Sequence, residues 1–431
     1  MPAGRAGRYK EMTMDAKAYV EGLASAALSA AGELAVTPGA QRNAALLAAA
    51  KAIRRRAAQL KAANAKDLAA AEKARLAEAM IDRLRLTDAR VESMAAALEA
   101  IAAQVDPVGL ALAAYNRPDG LRIEKRRVPL GVVAIIYESR PNVTADAAGL
   151  CLKSGNACIL RGGKEAIHSN LAVAEALHAG LAEAGVPAAA VTVVDRTERE
   201  VVGALARAEG LIDVIIARGG EGLIRAVVQA ATIPVMKHYA GNCHVYVHAG
   251  ADLAMAQNIA VNAKCQRPGI CNAMETLLVD AAVAEAFLPA VCRKLAEAGV
   301  ELRGCERSRE LYPEMAAATE EDWHTEYLAL ILAVKVVDGL DAAIRHVNAC
   351  GSKHTDAIVT DSVAAAGEFV ARVDSSSVMV NASTRLSDGG VYGLGAEIGI
   401  STDKLHARGP MGAEDLTTYK WIVTGSGHLR E

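Results

Sequence analysis

The chain has 431 residues, enough to bury more than one hydrophobic core. Its 47 Lys+Arg nearly balance 50 Asp+Glu, and a net charge of −3 leaves no cationic surplus for a nucleic-acid partner. Aromatic residues make up only 3% of the chain, so the interior must be packed with Ala, Val, Leu and Ile, and stacking platforms for single-stranded nucleic acid are lacking.

The first residues carry Arg5, Arg8 and Lys10, but Glu11, Asp15 and Glu21 follow and the next stretch is Ala-rich. This reads as a short lead ahead of Met12 rather than a targeting peptide. From Met14 to about Gln104 apolar residues recur at helical spacing, through Leu46, Ile53, Leu60, Leu68, Leu84, Val91 and Leu98. Asn116-Arg-Pro-Asp-Gly120 is a turn signal, and Leu121 to Arg127 then alternates as an exposed strand does. No uncharged apolar run reaches the ~20 residues of a membrane span; Val128 to Tyr137 is short and interrupted by Pro129 and Gly131.

From there short β-rich runs alternate with helical patterns. Gly131–Ile136, Ala157–Leu160, Val191–Val194 and Val214–Ile216 read as strands with helices between and after them. That rhythm predicts right-handed βαβ units and a doubly wound parallel sheet. A second α/β stretch follows, with strands at Cys243–Val247, Glu275–Val279, Leu328–Val337, Ala357–Thr360 and Ser377–Val380. The Gly-rich tail from Ser383 carries no clear pattern.

The eight cysteines, at 151, 158, 243, 265, 271, 292, 305 and 350, show neither CxxC nor a His-rich metal spacing. They fit reduced cytoplasmic thiols, with no disulfide framework and no zinc site. Cys271 differs in its setting: Pro268-Gly269 stops the preceding helix and puts it on a tight turn entering a strand, with Lys264 and Arg267 nearby. A thiol so placed is either an activated nucleophile or a packed strand-end residue. Cys265 lies at a helix end before the breaker, where packing is expected.

Gln266-Arg-Pro-Gly-Ile-Cys-Asn272 resembles the nucleophile loop of the gamma-glutamyl phosphate reductases, a branch of the aldehyde dehydrogenase superfamily. The resemblance extends over Val128–Thr144, Lys153–Asn156, Leu160–Ala166, Lys237–Val247, Tyr392–Thr402 and Lys404–Gly412. It implies an aldehyde dehydrogenase-like α/β fold: a cofactor-binding domain (1–115 and 128–238), a catalytic domain (239–403), and a small oligomerisation element (116–127 and 404–431). The two larger domains are both doubly wound.

The implied reaction is NADPH-dependent reduction of L-glutamyl 5-phosphate to L-glutamate 5-semialdehyde and phosphate through a Cys271 thioester, the second step of proline biosynthesis. Asn142, with the Cys271 backbone N–H, is the implied oxyanion donor. Lys164, with Arg161 or His168, is implied in holding the cofactor; the turn at Gly219 and Gly220, which follows a strand and opens a helix, suits its pyrophosphate at a helix N-terminus. Glu326 resembles the carboxylate that holds the nicotinamide ribose. Arg140, Arg267, His406 and Arg408 are candidates for the substrate's charged groups. Tyr239-Ala-Gly-Asn242 lacks the water-activating Glu of hydrolytic relatives, which suits an acyl-phosphate enzyme. Two departures stand out, Ala217 for a family Pro and Ala329 for a frequent Asp. A homo-oligomer and functional coupling to glutamate 5-kinase are expected, with no nucleic acid, membrane or metal. The alternatives are a reductase of another acyl phosphate or acyl-CoA, or a catalytically silent scaffold.

Overall fold

The computed structural model describes residues 14–430, and the lead before Met12 lies outside the described residues. Two compact units emerge. One comprises the chain up to Lys237 with Gly393–Gly399 and everything from Met411; the other comprises His238–Tyr392 with Ile400–Pro410.

The first unit opens with five helices between Met14 and Ala103. Its scarcity of aromatics has a direct packing consequence. The helices Gly39–Arg55 and Ile167–Glu183 lie so close that a Cβ on Gly180 would stand 2.3 Å from the Ala49 nitrogen. The parallel sheet has the order Val191–Val193, Ala157–Arg161, Val132–Tyr137, Val214–Arg218, Val235–Met236. Every residue of Val132–Tyr137 is buried, as a continuous β-branched run in a sheet covered on both faces requires. The chain moves outward from this central strand in one direction and returns to fill the other, so the strand order reverses between Val132–Tyr137 and Val214–Arg218. Grooves for ligands open at the carboxyl ends beside such a reversal.

A separate antiparallel sheet joins Ala111–Asn116, Arg122–Pro129 and Thr417–Thr424. The last strand comes from the unpatterned tail and pairs Tyr419 with Arg127 and Trp421 with Lys125.

The second unit carries a seven-stranded sheet of parallel pairs, in the order Ala316–Ala317, Glu301–Gly304, Ile331–Val337, Met274–Asp280, Cys243–Val247, Thr355–Val359, Ser377–Val380. Met274–Asp280 and Cys243–Val247 are central and buried throughout. Helix Leu253–Cys265 begins where Asp252 accepts hydrogen bonds from the Ala254 and Met255 nitrogens. Glu301–Gly304 and the helices Gly339–Cys350 and Val363–Arg372 add to the sequence reading, and the strand read from Leu328 begins at Ile331.

Candidate active site

The helix Leu253–Cys265 ends against Pro268-Gly269, and Cys271 sits in the turn before strand Met274–Asp280. Neighbouring segments clamp this turn. Gly241 presses directly on it: an added Cβ would lie 1.9 Å from the Cys271 carbonyl oxygen. The Cys243 thiol donates to that same carbonyl at 3.2 Å, and Asn272 Nδ2 donates to the Ser387 carbonyl at 2.8 Å. Asn242 in turn donates to the Trp323 and Cys350 carbonyls, fixing the segment that carries Gly241. Such over-determined backbone is what a nucleophile needs to be held in one place.

Two imidazoles lie near the Cys271 thiol. One ligand atom each from His238, Cys271 and His354 lies within 4.8 Å of the others. His238 Nδ1 is 2.8 Å from the Ile400 carbonyl, so that nitrogen carries the proton and Nε2 keeps the lone pair. A base oriented this way can take the proton of a neighbouring thiol. Neither histidine was reached from the sequence, where 238, 271 and 354 share no spacing. Arg385 was missed for the same reason. Its guanidinium donates to Gln266 Oε1 at 2.9 Å and to Asn272 Oδ1, bracketing the Cys271 loop. Burial first and then the charge of Arg267 lower its pKa, against the raising pull of Asp388 and Cys271.

The residues expected beside Cys271 divide. Lys264 is fully buried and 2.5 Å from Glu275, so its charge is already committed. Arg267 is exposed on the loop. Arg408 is tied to Asp374, through Oδ1 at 2.8 Å and the carbonyl at 3.0 Å, in a cluster with Lys353 and Lys404. His406 is exposed, with a left-handed φ of 70°. Glu326 accepts from the Gly241 nitrogen at 2.8 Å. Burial pushes the Cys243 thiol well up and raises Cys265, which leaves both as poor nucleophiles.

In the first unit a cavity of about 860 Å³ opens at the carboxyl ends of the parallel strands. Glu138, Arg161, Lys164, Thr197, Arg199 and Leu223 are among its lining residues. Arg161 is buried and spends its guanidinium on the Gly162 and Thr197 carbonyls at 3.0 and 2.8 Å, and burial lowers its pKa. Lys164 and Arg199 line the cavity and are exposed, whereas His168 does not line it. At the helix Glu221–Ala230 the Gly220 nitrogen donates to Glu138 Oε2 at 2.8 Å, and a Cβ on Gly219 would stand 2.7 Å from the same oxygen. A carboxylate thus occupies the anion position of this N-terminus. The apolar wall of Val202, Leu223 and Ala226 beside exposed cations suits a dinucleotide.

Asn142 and Arg140 begin the helix Pro141–Lys153 of the first unit, Arg140 as its half-buried N-cap residue. Asn142 is exposed and donates to Asp146 Oδ2 at 3.0 Å. Burial pushes the Asp146 carboxyl up to about 6 against that donated bond.

Comparison with known proteins places these features. The profile of the aldehyde dehydrogenase family matches residues 4–307. The gamma-glutamyl phosphate reductase of Moorella thermoacetica is 54% identical over 405 residues, covering 94% of this chain and 97% of that protein. The crystal structure of gamma-glutamyl phosphate reductase from Thermotoga maritima superposes with a TM-score of 0.93 at 43% identity, covering 96% of this chain and all of the other. An acetylating aldehyde dehydrogenase from Geobacillus thermoglucosidasius shares the fold at 18% identity, with a TM-score of 0.69 over 97% of this chain and 99% of its own. The chain is an enzyme of the aldehyde dehydrogenase family and belongs, within it, with the gamma-glutamyl phosphate reductases.

Proposed function

We propose that this chain reduces L-glutamyl 5-phosphate to L-glutamate 5-semialdehyde and phosphate with NADPH, the second step of proline biosynthesis. The observation that carries this reading is the clamped Cys271 turn with two imidazoles at its thiol, in a chain 54% identical to a reductase of that name. Cys271, deprotonated toward His238, attacks the acyl carbon; the bond to the phosphate oxygen breaks and phosphate leaves, giving a thioester. NADPH, when bound, supplies the hydride that takes this thioester to the aldehyde level. The resulting thiohemiacetal collapses by breaking the carbon–sulfur bond, which returns the thiolate. Asn142 and the Cys271 N–H are the proposed donors to the tetrahedral oxyanion.

Two carboxylates near this loop are already engaged. Glu275 is paired with Lys264, and Glu326 is bonded to the Gly241 nitrogen. A thioester kept from water is what a phosphate-releasing reductase requires.

Lys164 and Arg199, with Arg161 behind them, are the proposed cations for the cofactor's phosphates, the Gly219-Gly220 turn its pyrophosphate site once Glu138 moves aside, and Glu326 its ribose partner. Arg140, Arg267, Arg385, His406 and Arg408 are the cations from which the substrate site is drawn, with Arg408 positioned through Asp374. The first unit then serves as the cofactor-binding domain and the second as the catalytic domain. The antiparallel sheet leaves Tyr115, Tyr419, Trp421 and Val423 exposed, and a second subunit covering it would make the enzyme a homo-oligomer. No helix among the described residues is long and apolar enough to cross a membrane; a cytoplasmic site of action and coupling to glutamate 5-kinase complete the reading.

The test is phosphate-dependent reduction of NADP⁺ by glutamate-5-semialdehyde, the reaction in reverse. Activity that requires phosphate and is lost in Cys271→Ala supports the assignment. Activity without phosphate, or undiminished in the variant, overturns it.

A further inference from the structure

We propose that Cys271, His238 and His354 form a His₂Cys site that captures a thiophilic divalent cation and reversibly locks the nucleophile. The three side chains come from separate loops, yet their ligand atoms lie within 4.8 Å of one another. That set of one thiolate and two imidazoles is a zinc donor set with one coordination position left over for water.

One of the imidazoles has its tautomer fixed by an outer hydrogen bond, as metal-ligating histidines do. His238 gives its Nδ1 proton to the Ile400 carbonyl at 2.8 Å, which fixes the tautomer and leaves the Nε2 lone pair for an ion. The His354 ring is buried, with Nδ1 2.9 Å from Thr355 Oγ1. The two rings stand edge to face, their centroids 5.4 Å apart. A tetrahedral ion with bonds of about 2.0–2.3 Å needs ligand atoms roughly 3.5 Å apart, so a side-chain rotation on the order of 1 Å closes the set. Cys271 and His238 are only half-buried, which gives the ion a way in.

The ion displaces the thiol proton and occupies the sulfur lone pair that would attack a substrate. Its effect on catalysis rests on the reading of Cys271 as the nucleophile; the binding itself does not.

The experiment is a Co²⁺ titration of the metal-stripped protein, read by the thiolate-to-cobalt charge-transfer band and by the rate at which iodoacetamide alkylates Cys271. One equivalent is expected to bind, with the band absent in Cys271→Ser and affinity weakened at least ~10-fold in His238→Ala. Equimolar Zn²⁺ is expected to suppress alkylation of Cys271, and a chelator to restore it. His354→Gln, which preserves volume at the buried position, is expected to weaken binding in the same way. A band unchanged in Cys271→Ser, or none at millimolar Co²⁺, overturns the site. Because binding is read without substrate or cofactor, phosphate-dependent activity without cobalt binding refutes this site alone, and cobalt binding without that activity refutes only the proposed reaction.

Discussion

The Lys264 ammonium lies 2.5 Å from the Glu275 carboxylate, both side chains wholly excluded from solvent beside the Cys271 loop. Desolvation pushes Glu275 up to about 7 and Lys264 down, while the second carboxylate oxygen accepts from the Leu328 nitrogen at 3.1 Å. The lysine that the sequence places near Cys271 therefore braces the strand that follows it. Glu275→Gln leaves a buried ammonium without its counter-charge and is expected to destabilise the protein by about 3–5 kcal/mol. Lys264→Met combined with Glu275→Leu should recover most of that loss. Denaturant midpoints of the three proteins give the comparison; a Glu275→Gln protein as stable as wild type would contradict it.

Gly241 is the position where the least change should do the most harm. A methyl group there meets the Cys271 carbonyl and Cα, at 1.9 and 2.5 Å, so the Cys271 loop must move. Gly241→Ala is expected to lower kcat/KM by ~100-fold or more, since displacements near 1 Å carry losses of that order. Circular dichroism should show the fold retained.

Arg385 reaches both flanks of the Cys271 turn, Gln266 and Asn272. Losing this brace in Arg385→Leu should slow turnover by roughly 10²-fold, the loss that a displacement near 1 Å of reacting groups carries. Arg385→Lys should restore little, because one ammonium cannot span both partners as the planar fork does. Steady-state rates in the phosphate-dependent assay decide it.

Of the cations lining the first unit's cavity, Arg199 is exposed while Arg161 is occupied by two carbonyls. Arg199→Ala is expected to raise KM for NADPH about 10-fold, the worth of one charge-assisted hydrogen bond, and to leave KM for NADH unchanged. Equal effects on both cofactors would place Arg199 away from the 2′-phosphate.

His346 should make the protein acid-sensitive. Burial first, then the charges of His244, Lys335 and His324, hold its pKa down to about 3 against an ordinary 6.5. Below pH 6.5 the unfolded chain takes up a proton that the folded chain refuses until about pH 3. Stability is thus complete above pH 6.5 and falls as pH drops, by about 1.4 kcal/mol per unit once the unfolded histidine is charged. In His346→Gln that slope should diminish by one proton, measured as unfolding free energy between pH 7 and 5.

What the sequence determined by itself was local. The alternation of strand and helix, the Pro-Gly break that puts Cys271 in a turn, and the Gly-rich turn opening Glu221–Ala230 all follow from neighbouring residues, whose preferences can be read in order along the chain. The long motifs then identified the family, because they are contiguous. Tertiary structure alone decided who meets whom. His238, His354 and Arg385 reach the Cys271 loop from segments 33, 83 and 114 residues away in number, and no periodicity encodes such a meeting. Lys264 turned from an expected activator into a brace because burial offered it Glu275, and the tail strand Thr417–Thr424 found its partner in Arg122–Pro129 almost three hundred residues earlier. Contacts of this kind depend on the global packing of parallel sheets, where each side chain's partner is set by strand order and burial, quantities that no single stretch of sequence contains.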